Sequence, residues 1–198
     1  MKRRMGVATA AVVAALLALS GCATDPLADK YGNGGAGGYS SSDGTVLEIP
    51  AEERADAPSF EGVTDAGLTV SNEDFEGKVL VVNFWYAACG PCRAEAPDLQ
   101  ELYLKHREAG AEFLGVNTLD EPDTALAFAR KYGITYPSVI DGDTGEVRLA
   151  FAGQASPSAV PTTLVLDKEG RVAVRFLGQI TAPTNLDTVI RELLAEEL

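Results

Sequence analysis

A continuous apolar run that ends at two closely spaced cysteines constrains the fold more than any other feature of the chain. The run lies within Lys78 to Trp85, and Cys89-Gly90-Pro91-Cys92 follows it. An uninterrupted apolar segment of this length is typical of a strand that is covered on both faces. We therefore predict that Lys78 to Trp85 forms the central strand of a sheet, and that a helix begins near Gly90 and ends near Ala109.

The two cysteines at the start of this helix have the spacing of a redox pair. A thiol in the first turn of a helix faces unpaired N–H groups and the positive end of the helix dipole, which favour the thiolate, so we predict that Cys89 is the nucleophile. Two intervening residues place Cys92 within one turn, where it can form a disulfide with Cys89 and act as the resolving thiol. Pro91 suits a first helical turn because its missing N–H needs no partner there.

Two other interpretations of the cysteine pair are weaker. A zinc site needs four ligands, and Cys22 and His106 are the only other cysteine and histidine in the chain. A purely structural disulfide between Cys89 and Cys92 would close too short a loop to stabilise folding much. We therefore predict redox chemistry at this pair and no metal site.

Sequence segments on both sides of the cysteines match a known pattern. These segments are Gly77-Lys78-Val79 and Val82-Asn83-Phe84-Trp85 before the pair, Arg93-Ala94-Glu95-Ala96-Pro97 after it, and Ala159-Val160-Pro161-Thr162-Thr163 farther downstream. Together with the cysteines they resemble the thioredoxin superfamily, in particular its membrane-anchored TlpA/ResA-like branch, over roughly Pro58 to Leu198. The resemblance implies a thioredoxin-like α/β fold, in which a central mixed β-sheet is flanked by helices and extended by an N-terminal β-hairpin.

The resemblance also implies where the substrate binds. In such proteins the bond before the proline that corresponds to Pro161 is cis and lies beside the nucleophilic sulfur. The backbone of the preceding residue, here Val160, pairs with the substrate chain as an added strand. Trp85, Gly90 and Pro91 are expected to contribute to the same surface. No cofactor is expected besides the redox-active disulfide itself.

Two positions depart from the thioredoxin pattern. Asn83 stands where thioredoxins have a buried aspartate, and since an amide cannot accept a proton, another group must take the proton of the resolving thiol. Glu95 matches a carboxylate that similar membrane-anchored reductases place near the disulfide, and burial would raise its pKa toward a useful range. Alternatively, Glu95 is a solvated first-turn carboxylate that interacts with the helix dipole. Ala88 replaces a tryptophan found in most relatives, so partner recognition is expected to differ.

The rest of the domain has the pattern of alternating strands and helices. We predict strands at Glu112–Asn117 and Ser138–Ile140, and two hairpins, one of Pro58–Gly62 and Leu68–Val70 turning at Gly67 and one of Thr163–Leu166 and Val172–Phe176. We also predict a helix that begins at Asp120-Glu121-Pro122 and a short helix at Gly145–Phe151. The last helix is predicted to carry Leu186, Val189, Ile190, Leu193 and Leu194 on one face. His106 is expected to have a structural role and not to bind a ligand. Residues 153–158 exceed the family pattern and either line the substrate groove or form an insertion without a contact role.

The amino terminus has the organisation of an export signal. A basic start, Met1 to Arg4, precedes an apolar segment from Val7 to Leu19 that is too short to span a bilayer by itself. Leu19-Ser20-Gly21-Cys22 resembles a bacterial lipobox, whose cysteine is lipidated after cleavage. We predict a signal peptide at residues 1–21, a flexible linker anchored through Cys22 at residues 22–57, and the thioredoxin-like domain at 58–198. A simple cleaved signal and an uncleaved anchor are the alternatives.

The net charge argues against nucleic acid as a partner. The formal charge of the whole chain is −13, and removal of residues 1–21 with their three basic side chains would make it −16. Such a surface repels phosphate backbones, whereas it helps to keep an exported domain soluble. The signal peptide and the lipobox-like segment, with which this charge is compatible, predict a location outside the cytoplasm and a lipid anchor in the bacterial cell membrane.

The residues around the cysteines favour a protein disulfide reductase. Gly90-Pro91 is the dipeptide of thioredoxin, whose couple lies near about −270 mV, whereas strong oxidants lie near about −120 mV with other intervening residues. Val160, in place of threonine, also resembles the reducing members. The expected partners are protein thiols and disulfides, among them apocytochrome c, and a membrane electron donor, with the protein as a monomer. The alternatives are an oxidase or isomerase for secreted proteins and a surface binding module with an inert disulfide.

Overall fold

The computed structural model describes residues 45–154 and 159–197, which contain eight strands and four α-helices. The strands are β1 (Val46–Glu48), β2 (Glu61–Val63), β3 (Thr69–Ser71), β4 (Val79–Trp85), β5 (Ala111–Asn117), β6 (Ser138–Ile140), β7 (Thr162–Leu166) and β8 (Val172–Leu177). The helices are α1 (Gly90–His106), α2 (Pro122–Tyr132), α3 (Glu146–Ala150) and α4 (Pro183–Ala195). Short 3₁₀ turns occupy Ala51–Glu53, Asn72–Phe75 and Arg107–Ala109.

Six of the strands form one mixed sheet in the order β1-β8-β7-β4-β5-β6. β4, β5 and β6 are parallel, with α1 and α2 as the crossover connections that parallel neighbours require. β7 is antiparallel to β4, and β8 is antiparallel to β7. β2 and β3 form a separate hairpin. The predicted thioredoxin-like fold is confirmed, with β4 in the interior of the sheet and the hairpin near the N-terminal end of the domain.

The apolar run of β4 is continuous because both faces of the sheet are covered. Side chains alternate between the two faces along a strand. Val79 packs in a core cluster with Leu186 of α4, whereas Leu80 packs in a second cluster with Phe151, which follows α3. Full burial of each such side chain stabilises the fold by about 1.5–3 kcal/mol. The central strand, and with it the start of α1, is therefore held from both sides.

The ends of α1 and α4 are joined by a polar contact. His106 Nε2 lies 2.6 Å from Asp187 Oδ1, so the histidine has the structural role that was expected. The regular part of α1 ends at His106, three residues before the predicted end. The chain tightens into the 3₁₀ turn at Arg107–Ala109 and stops at Gly110, whose φ of +100° lies in the left-handed region that favours glycine.

The folded domain begins before residue 58, so the linker predicted for residues 22–57 is wrong at its C-terminal end. β1 pairs with β8 in antiparallel register, with Leu47 opposite Arg175. Arg54 donates from Nη1 to Asp167 Oδ2 at 3.0 Å and to Glu196 Oε2 at 2.8 Å, and its side chain is only 7% exposed. A three-residue strand is too short for periodicity to reveal it, and a buried arginine has no sequence signature.

Some of the sequence-based predictions concern residues outside the described ranges. These are the signal peptide at 1–21, the lipidated Cys22, the linker as far as residue 44, and most of the segment 153–158. Within residues 45–154 and 159–197, none of the helices combines the length and the apolar character needed to cross a bilayer.

Candidate active site

The two cysteines lie where β4 ends and α1 begins. Cys89 is the N-cap residue of α1, with an extended backbone, and its Sγ accepts a hydrogen bond from the Cys92 N–H at 3.1 Å. The two residues are joined by a disulfide, with their Cα atoms 5.3 Å apart. An N-cap position places the sulfur against the unpaired N–H groups of the first turn, and those dipoles stabilise negative charge on it once the disulfide is reduced.

The two cysteines of the disulfide are buried, whereas the residues next to them are exposed. Cys89 is 4% exposed and Cys92 is 2% exposed, so both residues are buried in the disulfide form. Gly90 and Pro91, which separate them, are exposed, and Pro91 occupies the first turn of α1 as predicted. Ala88 is also exposed, so the position before Cys89 presents only a methyl group to solvent.

The cis-proline turn lies against the same cluster of side chains. The Val160–Pro161 bond is cis, as the resemblance implies. Val160 is half-buried and packs against the cluster that contains Cys89 and Cys92. Thr162 Oγ1 donates to the carbonyl of Ala159 at 2.7 Å and closes the turn. The structure therefore brings the predicted substrate-pairing residue to the cysteine pair.

Trp85 packs against the cysteine pair on its buried side. Its side chain is 6% exposed and packs in the cysteine cluster, with its ring centroid 4.3 Å from that of Phe128. Its Nε1 donates to Ser138 Oγ at 3.2 Å. Gly115 makes this arrangement possible, because a Cβ there would overlap Ser138 Oγ and lie 2.8 Å from Trp85 Nε1. The indole is thus buried beneath the accessible surface, and its direct contact with substrate stays a prediction.

Glu95 is the most deeply buried charged group of the site. It is 1% exposed, its Oε1 accepts from Asn83 Nδ2 at 3.0 Å, and its Oε2 accepts from the Ile180 N–H at 2.9 Å. Burial raises the pKa of Glu95 above its usual value, whereas the hydrogen bonds from Ile180 and Asn83 lower it in part. The alternative of a solvated first-turn carboxylate is wrong.

Asn83 has a positioning role that its sequence position alone did not indicate. Its Nδ2 donates both to Glu95 and to Thr163 Oγ1, each at 3.0 Å. The amide therefore fills the place of the missing aspartate as a hydrogen-bond donor that orients Glu95. Asn83 lies on β4 and Glu95 lies on α1, so the buried carboxylate of this region comes from the cysteine helix and not from the strand.

Asp120 is a site residue that sequence reasoning missed. It was expected to help cap α2, but the N-cap residue is Glu121, without a side-chain cap. Asp120 Oδ2 instead accepts from the Ala87 N–H at 2.6 Å and from Asn117 Nδ2 at 2.9 Å. Its carboxylate thereby holds the turn that precedes Cys89. The available signal was its position three residues after the end of β5, because the carboxyl ends of parallel strands meet at one edge of the sheet.

The described residues contain no group of three or more His, Cys, Asp or Glu side chains arranged to hold a metal ion. The sequence offered two other candidate zinc ligands, His106 and Cys22. His106 is engaged with Asp187 near the far end of α1, and Cys22 lies outside the described ranges.

Sequence comparison identifies relatives with the same chemistry. The family model described as the AhpC/TSA family matches residues 54–175. The chain is 33% identical over 127 residues to the thiol-disulfide oxidoreductase ResA of Bacillus anthracis, and the match covers 64% of this chain and 70% of that protein. It is 31% identical over 129 residues to the ResA of Bacillus subtilis (strain 168), covering 65% and 69%.

Solved structures of the same fold extend the comparison. A secreted thiol-disulfide isomerase from Corynebacterium glutamicum superposes with a TM-score of 0.72 at 31% identity, covering 81% of this chain and 100% of that one. A DsbF homologue from Corynebacterium diphtheriae gives a TM-score of 0.69 at 32% identity, covering 78% and 96%. Proteins of this kind carry electrons on their cysteine pair and need no separate cofactor. The chain belongs to the AhpC/TSA family and is a thioredoxin-like thiol–disulfide oxidoreductase, similar to the ResA proteins.

Proposed function

We propose that the protein is an exported, lipid-anchored reductase of protein disulfides. The observation that carries this proposal is the arrangement at the start of α1. Cys89 caps the helix and accepts the Cys92 N–H, the cis-proline turn packs against the pair, and a buried Glu95 lies three residues beyond Cys92. These are the parts that a two-thiol exchange needs: a stabilised thiolate, a resolving thiol, a place for the substrate backbone and a proton acceptor.

The exchange proceeds in two displacements at sulfur. In the reduced protein, the Cys89 thiolate attacks a substrate disulfide; a bond forms between Cys89 and one substrate sulfur, and the other leaves with the electron pair of the broken bond and takes a proton from water. Cys92 then attacks the Cys89 sulfur, forms the Cys89–Cys92 disulfide and expels the remaining substrate thiol. The substrate gains two electrons from the protein. It also gains two protons: the first displaced sulfur takes one from water, and the second takes the one that Glu95 receives from Cys92.

Glu95 takes the proton of Cys92 in the second displacement. Residues three apart on a helix share a face, which puts the carboxylate on the side of α1 that carries Cys92. Its raised pKa makes Glu95 a stronger base than a solvated carboxylate and brings that pKa closer to neutral pH, where proton transfer is most effective. Asn83 keeps the carboxylate oriented through its hydrogen bond to Oε1.

Substrate binding uses the surface around the disulfide. The backbone of Val160 pairs with an extended segment of the substrate, since a strand that is added to a protein edge is held mainly by main-chain hydrogen bonds. The exposed Gly90 and Pro91 contact the residues next to the substrate disulfide, and Pro161 fixes the shape of the turn. The buried side chain of Trp85 packs beneath these residues.

Location and partners follow from the amino-terminal sequence and the resemblance. Leu19-Ser20-Gly21-Cys22 supports lipidation of Cys22 and attachment to the outer face of the cell membrane, with residues 23–44 as the tether. The compartment outside the cytoplasm is oxidising, so a reductase there needs a membrane electron donor. The resemblance to the TlpA/ResA branch supports the haem-attachment cysteines of apocytochrome c as a substrate, with the protein acting as a monomer.

An oxidase or isomerase for secreted proteins is the second candidate function. It is favoured by the Corynebacterium glutamicum structure, which is described as a secreted thiol-disulfide isomerase, and by the DsbF homologue. The reduction potential of the Cys89–Cys92 couple separates the two candidates. A reductase should equilibrate near the thioredoxin value of about −270 mV, whereas a value above about −150 mV would place the protein among the oxidants.

A trapping experiment tests the proposed substrate class. Cys92→Ser removes the resolving thiol, so the full-length variant should retain its partner as a mixed disulfide on Cys89. Cys89→Ser is the matched control, because it removes the nucleophile and leaves Cys92. Capture of exported thiol proteins by Cys92→Ser but not by Cys89→Ser is expected. Equal recovery with both variants, together with unchanged cellular function of Cys89→Ser, would instead indicate a binding module with an inert disulfide.

A further inference from the structure

The segment Leu177–Ile180 makes backbone contacts with three separate parts of the domain. The Leu177 N–H donates to the carbonyl of Thr45 at 2.7 Å, next to β1. The Gly178 N–H donates to the carbonyl of Pro161 at 2.9 Å. The Ile180 N–H donates to Glu95 Oε2 at 2.9 Å. Four consecutive residues therefore contact the N-terminal strand, the cis-proline turn and the buried carboxylate.

The conformation of the segment depends on a glycine. Gly178 has a φ of +82°, in the left-handed region where a side chain is unfavourable. This conformation directs its own N–H to Pro161 and lets the chain leave β8 so that Ile180 returns to the core. Ile180 is 6% exposed and belongs to the same core cluster as Leu186 of α4. The segment is thus fixed both by its hydrogen bonds and by packing.

We propose that Leu177–Ile180 is a positioning segment, which holds the Glu95 carboxylate and the carbonyl of Pro161 in one fixed arrangement for the two displacements. The segment acts through these two groups and not by touching the reacting sulfurs. The proposal rests on the function proposed above, in which Glu95 accepts a proton and the cis-proline turn receives the substrate. A change in the segment should therefore alter proton transfer and substrate binding together.

The groups around Glu95 determine the direction of the effect. Asn83 faces it from β4 and Ile180 from the segment, and both donate hydrogen bonds that lower its pKa. Asp98, on the same helix, adds negative charge that raises it. Burial raises the pKa of Tyr136, before β6, and the nearby charge of Glu95 raises it further. Because the Ile180 N–H opposes the effects of burial and Asp98, its loss should raise the pKa of Glu95 further.

Gly178→Ala in the full-length protein tests the proposal. The new Cβ would meet no heavy atom within 4 Å, so the substitution acts by straining the backbone and not by a clash. Gly67→Ala is the matched control, because Gly67 has a φ of +78° and an equally open surrounding but lies in the hairpin turn between β2 and β3. The pKa of Glu95 can be followed by the NMR shift of its side-chain carboxyl carbon as the pH is varied.

We expect the pKa of Glu95 and the KM to change in Gly178→Ala and not in Gly67→Ala. Gly178→Ala should raise the pKa of Glu95 by about one pH unit, which is the effect of losing a single hydrogen bond to a charged group. It should also raise KM for a peptide disulfide, whereas Gly67→Ala should change neither. Ile180→Pro removes the donor itself and should raise the pKa at least as much.

Two results would overturn the proposal. One is an unchanged pKa of Glu95 in both Gly178→Ala and Ile180→Pro; the other is an equal rise in Gly67→Ala. The NMR titration does not depend on catalysis, so it reports on the segment even if Glu95 has no catalytic role. Failure of the proposed function would appear separately, as an unchanged rate of the second displacement in Glu95→Gln.

Discussion

Replacement of Glu95 by glutamine should slow the second displacement and leave the first one intact. Glutamine has nearly the same shape but cannot take a proton, and only one of its two terminal atoms can accept a hydrogen bond, so it keeps one of the two bonds that Glu95 accepts. Proton transfer by a positioned side chain typically contributes about 10²–10⁴-fold in rate. We therefore expect attack by Cys92 to slow at least about 100-fold, with attack by Cys89 unchanged.

Stopped-flow fluorescence can resolve the two displacements. Trp85 is the only tryptophan of the chain and packs in the cluster with both cysteines, so its emission should report formation of the Cys89–Cys92 disulfide. Reduced Glu95→Gln mixed with an excess of peptide disulfide should accumulate the mixed disulfide on Cys89, which mass spectrometry identifies after an acid quench. In the wild-type protein the rate of the second step should rise with pH through the raised pKa of Glu95, and this rise should be missing in the variant.

Glu101→Gln is the matched control for this experiment. It removes the same charge from the same helix, but Glu101 is exposed to solvent. It should behave as the wild-type protein in both steps. The reasoning about Glu95 is refuted if Glu95→Gln forms the intramolecular disulfide at the wild-type rate, or if Glu101→Gln slows it equally.

The burial of Glu95, the close approach at Gly115 and the ion pair of Arg54 predict three further outcomes. Because Glu95 binds a proton more tightly in the folded than in the unfolded chain, the free energy of unfolding should fall as the pH rises from about 4.3 through the raised pKa, and urea titrations of Glu95→Gln should lack this fall. Gly115→Ala should lower the free energy of unfolding by about 1–3 kcal/mol through overpacking and shift the emission of Trp85. Arg54→Met should lower it by about 2 kcal/mol, because the buried Asp167 loses one of its cationic partners.

The predictions for Gly115→Ala and Arg54→Met have matched controls within the chain. Gly153→Ala places a Cβ where no heavy atom lies within 4 Å, so it should leave stability and fluorescence unchanged. Lys78→Met breaks a more exposed ion pair, in which Nζ lies 3.5 Å from Glu112 Oε1, and should change stability by less than about 1 kcal/mol. A loss in Gly153→Ala as large as in Gly115→Ala, or in Lys78→Met as large as in Arg54→Met, would contradict the assignments.

The parts of the site that depend on local sequence could be predicted. The position of Cys89 at the start of α1, the early proline and the buried strand before them are all determined within a few residues, so periodicity and helix-start signals are sufficient. The central position of β4 could also be predicted from the sequence, because a strand that is apolar on both faces is unfavourable at the exposed edge of a sheet. The cis-proline turn was reached through the resemblance and not through any local physical signal.

The parts that depend on distant contacts could not be predicted in the same way. The environment of Glu95 is made by Asn83 and Ile180, which are 12 and 85 positions away, and a sequence pattern does not report such encounters. Asp120 was assigned to its own helix because its partner, the Ala87 N–H, lies 33 positions earlier. β1 was missed because its pairing with β8 gives it a stability that three residues do not have alone.

The central claim, that Cys89 is a thiolate stabilised at the start of its helix, is tested most directly by alkylation as a function of pH. The reduced protein is treated with iodoacetamide between about pH 4 and 10, and peptide mapping separates Cys89 from Cys92 and Cys22. We predict that Cys89 reacts faster than Cys92 throughout, with an apparent pKa at least one unit below the usual thiol value of about 8.5. A Cys89 that titrates at or above that value, or that reacts more slowly than Cys92, would contradict the account.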